Sequence, residues 1–204
     1  MNNPKDDLQH IRQMMERSSR FISLNGLSGV AAGIIALIGA FIASKLLQQQ
    51  GVNYLPGEGY YGYTYDLGIR LLILAIIILV AAVGAGILLT VQKTKKQGLK
   101  IWTSTTQRLL VQLFLPLAAG GLFCLALFYH DLFGLIAPAT LLFYGLALIN
   151  ASKYTYSDIQ YLGICEVFLG LIASFIPGYG LVFWALGFGV LHIIYGLLMY
   201  KKYK

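Results

Sequence analysis

The sequence predicts an all-α fold: a polytopic membrane helical bundle with six transmembrane helices and both termini cytoplasmic. Three observations lead there. Of the 204 residues, 58% are hydrophobic and only 11% charged, whereas a soluble domain carries about 25% charged residues on its wetted surface. Six runs reach or approach the ~20 apolar residues that a helix needs to cross a bilayer. The basic residues gather at alternate ends of those runs, the pattern by which cytoplasmic loops are marked.

The first segment, 1–20, is expected to form a cytoplasmic amphipathic helix. In NPKDDLQHIRQMMERSSR, Asn3 suits a cap, Pro4 the first helical position, and Asp6 and Asp7 the positive end of the helix dipole. Leu8, Ile11 and Met15 form a narrow apolar stripe that would lie on the inner leaflet, with the arginines at lipid phosphates. Residues 21–204 make the transmembrane domain. Its spans are about 22–47, 67–91, 109–129, 132–150, 158–177 and 181–200. The first run is long enough to span and follows mostly polar residues, so it should stay as a membrane helix and not be cleaved as a signal peptide.

The first outer connection is crowded with aromatics. Tyr54, Tyr60, Tyr61, Tyr63 and Tyr65 alternate with Gly57, Gly59 and Gly62. Tyrosine rings favour the membrane interface, so the segment reads as an interfacial collar. Exposed aromatic faces would also suit stacking on sugars or peptides. The remaining outer connections are short.

Thirteen of the 15 Lys and Arg residues fall on one side of this topology; the other side holds only Lys45 and Arg70, both at helix ends. The net charge of +7 therefore belongs to a membrane surface, and no nucleic-acid partner is expected. The expected partners are the lipid bilayer and either a second copy or a membrane partner protein.

Internal similarity suggests three tandem hairpins. GLSGVAAGIIA (26–36) aligns with GICEVFLGLIA (163–173), pairing Gly26 with Gly163 and Gly33 with Gly170. PLAAG (116–120) fits the same frame through Gly120, and Phe143-Tyr144-Gly145-Leu146 resembles Ile194-Tyr195-Gly196-Leu197. Such repeats would be parallel, related about an axis along the membrane normal. Small residues mark packing faces, since lipid gives helices no hydrophobic drive to associate. They are Ser28, Ala32, Ala36, Ala40 and Ser44, with the pairs Gly29–Gly33, Ala82–Gly86 and Ala185–Gly189.

One ionisable residue, Glu166, sits in the middle of the fifth run. A charge there costs about 2.5–3.5 kcal/mol on insertion scales, so it should face protein or water. Gly163 and Gly170 share its helix face. His192 lies as far beyond the turn near Tyr179 as Glu166 lies before it, and Gly189 and Gly196 flank it in the same way. An antiparallel hairpin then puts both groups at one depth. A Glu166–His192 contact would be either a clasp that fixes helix register or a proton-sensitive switch. Asn25 and Gln112 are candidates to line an inward-facing cavity with them. Pro116 and Pro138 are candidate kinks.

The sequence holds no P-loop, HExxH or GxSxG motif. Cys124 and Cys165 lack metal-ligand spacing and read as small core residues. No enzyme activity, cofactor or metal is expected.

The run MMERSSRFISLNGLSGVAAGIIALIGAF (14–41) resembles the opening of an uncharacterised family of small bacterial multi-pass integral membrane proteins. The resemblance implies a bacterial cytoplasmic (inner) membrane location and carries over no site residues. The expected role is a non-enzymatic membrane scaffold or regulatory subunit. The alternative is a proton-linked carrier or channel for a small or apolar solute, using the Glu166/His192 pair.

Overall fold

The computed structural model describes residues 26–51, 64–98 and 101–203. The expected helix at 1–20, Asn25 and all but the last of the clustered tyrosines lie outside them. Six helices are long and apolar enough to cross a membrane: α1 (Gly26–Gln49), α2 (Tyr65–Lys96), α3 (Ser104–Tyr129), α4 (Phe133–Tyr154), α5 (Asp158–Phe175) and α6 (Gly180–Lys202). No strand occurs among the described residues. The bundle is compatible with a multi-pass membrane protein, and large apolar side chains such as Ile77, Val80, Phe114 and Leu115 are exposed on it.

The helices begin where polar residues can satisfy their ends. The Thr64 side chain accepts from the Leu67 amide at 3.2 Å, with Asp66 in the first turn of α2 and Lys93, Lys95 and Lys96 in its last. These charges complement the helix dipole, so α2 runs beyond its apolar stretch to 32 residues. That is about 48 Å of helix against ~30 Å of hydrocarbon. Thr103 caps α3 in the same way, accepting from the Thr106 amide at 3.2 Å, which starts that helix at Ser104 and not near 109. Pro116 lies inside α3. Pro138 sits in the first turn of the α-helical part of α4, Ile136–Ala151, where its missing N–H costs no internal hydrogen bond.

Two helix pairs close tightly, α1 on α6 and α5 on α4, and they do so with the same contacts. Gly33 of α1 faces the Gly189 carbonyl and the Ile193 amide; Gly170 of α5 faces the Pro138 carbonyl and the Leu142 amide. Gly26 faces the Gly196 carbonyl and the Tyr200 amide; Gly163 faces the Gly145 carbonyl and the Ile149 amide. In return Gly196 receives Val30, and Gly145 receives Val167. The register is constant along each helix and pairs Gly26 with Gly163, Gly33 with Gly170, and Gly145 with Gly196. Any Cβ at these glycines would meet backbone, so the pairs approach as closely as small residues allow.

The third copy departs from this pattern. Gly120 receives the Phe143 ring of α4 in its own hairpin instead of backbone from α2. Helices α2 and α3 meet near one end, where the Tyr65 and Phe128 rings stand 5.6 Å apart. Gly84, Gly86 and Gly121 face open space, so the Ala82–Gly86 pair does not close the intrachain seam that its spacing suggested. Gly26 packs on Tyr200, which puts the start of α1 and the end of α6 at one end of the bundle. There Leu148, Ile159, Leu162 and Met199 form a core cluster. At the opposite end Leu47 and Leu67 are buried against Leu181.

Candidate functional site: a buried tyrosine, histidine and glutamate

The centre of the bundle brings together α4, α5 and α6. Glu166, on the glycine face of α5, is 0% exposed, and His192 of α6 is 6% exposed. Its Nδ1 stands 3.3 Å from Glu166 Oε1 and 3.0 Å from the Gly187 carbonyl oxygen. On the other side of the ring, Nε2 lies 2.8 Å from the Tyr144 hydroxyl of α4.

The partners fix the tautomer. A carbonyl oxygen can only accept, so Nδ1 carries a hydrogen and donates to Gly187. In the neutral imidazole Nε2 is then the acceptor, and the Tyr144 hydroxyl donates to it. The Nδ1 hydrogen is aimed at Gly187, so the 3.3 Å approach to Glu166 is an ion-pair distance without hydrogen-bond alignment. Neither Glu166 oxygen has a hydrogen-bond partner. A buried carboxyl group without a donor is costly.

The local backbone makes the site. Residues Ala185–Leu191 of α6 form a π-helical segment joining α-helical Gly180–Trp184 to α-helical His192–Lys202. π-turns are rare, and their wider winding frees backbone groups for other partners. Gly187 lies in that segment, and its carbonyl serves the His192 ring. Its missing side chain also matters, because a Cβ there would collide with Glu166 Oε2 and Leu141. Phe188 closes one side, with its ring centroid 4.9 Å from Tyr144 and 5.8 Å from His192.

The six glycines expected at helix contacts, Gly29, Gly33, Gly163, Gly170, Gly189 and Gly196, all face neighbouring helices. Gln112 does not join the cluster. Leu109 is buried, Leu113 packs on the core cluster and Gly120 is buried; Gln112, about 100° from Leu113 around the helix, is exposed. Cys124 and Cys165 are free and only half-buried. Tyr144 stands in the sequence only as part of a repeat and not as a site candidate, and nothing in the sequence marks the π-turn. Tyr144 carried one signal, its place beside Gly145 in the repeated Tyr-Gly-Leu triplet. Among the described residues no cluster of His, Cys, Asp and Glu could hold a metal ion. Among the described residues, a shallow groove opens between α5 and α6 and another between α1 and α6, and neither is lined by Tyr144, Glu166 or His192.

No family model, curated protein or solved structure matches the chain.

Proposed function

We propose that this protein is a non-enzymatic membrane scaffold or regulatory subunit of a bacterial cytoplasmic membrane, with both termini in the cytoplasm. One observation carries the reading: the Glu166–His192 pair is sealed. The Glu166 carboxyl is fully buried, with Gly187 packed so closely that not even a methyl group would fit between them. A solute site needs room for a solute, whereas a clasp needs close contact between helices. The asymmetric distribution of basic residues supports the orientation. Purification of the tagged full chain in several mild detergents tests the role. Retention of a stoichiometric membrane partner supports it, and a lone, monodisperse protein in every detergent counts against it.

A second reading, a proton-linked carrier or channel for a small or apolar solute, has its own support. Both Glu166 oxygens lack hydrogen bonds, and the π-turn beside them is an adjustable element. Proteoliposomes that acidify along an imposed proton gradient, and stop doing so with Glu166→Gln, would favour it. Equal proton permeability with and without the protein would remove it.

A further inference from the structure

We propose that the groove between the end of α6 and the start of α5 is a binding site for one anionic phospholipid. This inference does not depend on the role proposed above. The groove is shallow and open to the surface, with a volume of about 420 Å³, in the ~300–1,000 Å³ range of small-molecule sites. Its wall is apolar and aromatic: Tyr161 of α5, and Tyr195, Leu198 and Met199 of α6. Tyr195, Leu198, Met199 and Lys202 recur at helical spacing on one face of α6. The wall therefore runs about 10 Å along the helix and ends in Lys201 and Lys202.

The rim is organised. Lys202 Nζ donates to both Asp158 oxygens at 3.0 and 2.8 Å, and the Tyr203 hydroxyl donates to Oδ2 at 2.6 Å. The Asp158 carboxylate holds Lys202 in place and cancels its charge. Lys201 has no acidic partner among the described residues, so the rim keeps one net positive charge beside an apolar wall.

That combination selects its occupant. An acyl chain lies along Tyr161, Tyr195, Leu198 and Met199, and a headgroup phosphate meets Lys201. A headgroup that carries its own cation gains nothing from the charge of the rim. Basic pockets between helices at the membrane face bind anionic headgroups in this way. A free phosphate would have only the rim, where Asp158 opposes it, so the acyl chain is part of the recognition.

Native mass spectrometry of the full chain, released from membranes with equal phosphatidylglycerol and phosphatidylcholine, tests this. The expected result is one retained phosphatidylglycerol, favoured about fivefold over phosphatidylcholine, the weight of one basic residue at a charged surface. Lys201→Glu should cut its retention about tenfold or more. Leu198→Trp, which fills the wall at a 58% exposed position, should lower retention of both lipids without changing the preference. Glycerol phosphate should not displace the lipid. Equal retention of the two lipids, or phosphatidylglycerol retention unaffected by both substitutions, overturns the site. Displacement by glycerol phosphate overturns the lipid assignment in favour of a free-anion site.

Discussion

Gly145 and Gly163 are packed backbone to backbone, each so placed that an added methyl group would stand 2.6–2.7 Å from the other's carbonyl oxygen. Neither helix can take a larger residue there without moving away. Gly163→Val should destabilise the fold by about 1–3 kcal/mol, the usual range for overpacking a closed contact. Gly84→Ala, on α2 where nothing lies within reach, should be neutral or stabilising by up to about 1 kcal/mol. Thermal unfolding of both variants in mild detergent checks the contrast. Equal losses would mean that the α4–α5 contact is not closed as described.

The clasp makes a separate prediction. Tyr144→Phe removes one hydrogen bond within the membrane and should cost about 0.6–1.7 kcal/mol. Glu166→Gln and His192→Gln should each destabilise, and the double substitution should cost less than their sum, because each removes the same contact. A double-substitution cycle followed from about pH 5 to 8, the range in which histidine switches operate, gives the coupling. Additive losses would show that the two side chains do not interact. If Glu166→Gln is neutral and flattens the pH profile, the carboxyl group is there for its proton and the carrier reading gains.

At the basic end of the bundle, the Tyr156 and Tyr203 rings stack 3.9 Å apart. Burial pushes the Tyr156 hydroxyl above the ordinary tyrosine pKa, and the neighbouring Tyr203 adds to that. Burial also raises Tyr203, as does its hydrogen bond to Asp158, against an opposing contribution from Lys202. Both phenols therefore hold their protons more firmly folded than unfolded. The stability they contribute is complete below the unfolded tyrosine pKa of about 10 and is lost as pH rises through their folded values. In ultraviolet titration Tyr203→Phe should show fewer late-ionising tyrosines than the unaltered chain, since it removes one raised phenol and one of the causes that raise Tyr156. An unchanged count of late-ionising tyrosines would contradict this stacking.

Topology can be read with an impermeant maleimide on a chain whose Cys124 and Cys165 are replaced by serine. Gln50→Cys should label in intact cells, and Gln97→Cys only after permeabilisation. The reverse pattern would invert the proposed orientation, and labelling of both in intact cells would break the even number of spans.

Much of this architecture was legible in the sequence because helices long and apolar enough to cross a bilayer obey simple constraints. Apolar runs of sufficient length had to be helices; the Thr64 and Thr103 caps moved the starts of α2 and α3 to Tyr65 and Ser104, and the closing lysines carried α2 on to Lys96. The depth of Glu166 and His192 followed from counting residues about one turn. The glycines of α1, α4, α5 and α6 sit where their repeat placed them. What could not be read was rotation. Gln112 needed the knowledge that Leu109 and Leu113 face inward, and Gly86 looked like a seam residue although no helix covers it. The π-turn accompanies a contact between the His192 ring and the Gly187 carbonyl, and periodicity does not report such a contact.

That turn has a mechanical consequence. A wide turn shifts the phase of everything after it, and an ordinary helical residue accounts for about 100° of rotation. The part of α6 beyond Leu191 carries the imidazole facing Glu166, Gly196 seated on Val30, and Lys202 bonded to Asp158. Rewinding Ala185–Leu191 into ordinary α-helix would swing all three off their partners in one motion. The half-helix His192–Lys202 thus behaves as a single cog, on which the contacts with Glu166, Val30 and Asp158 turn together.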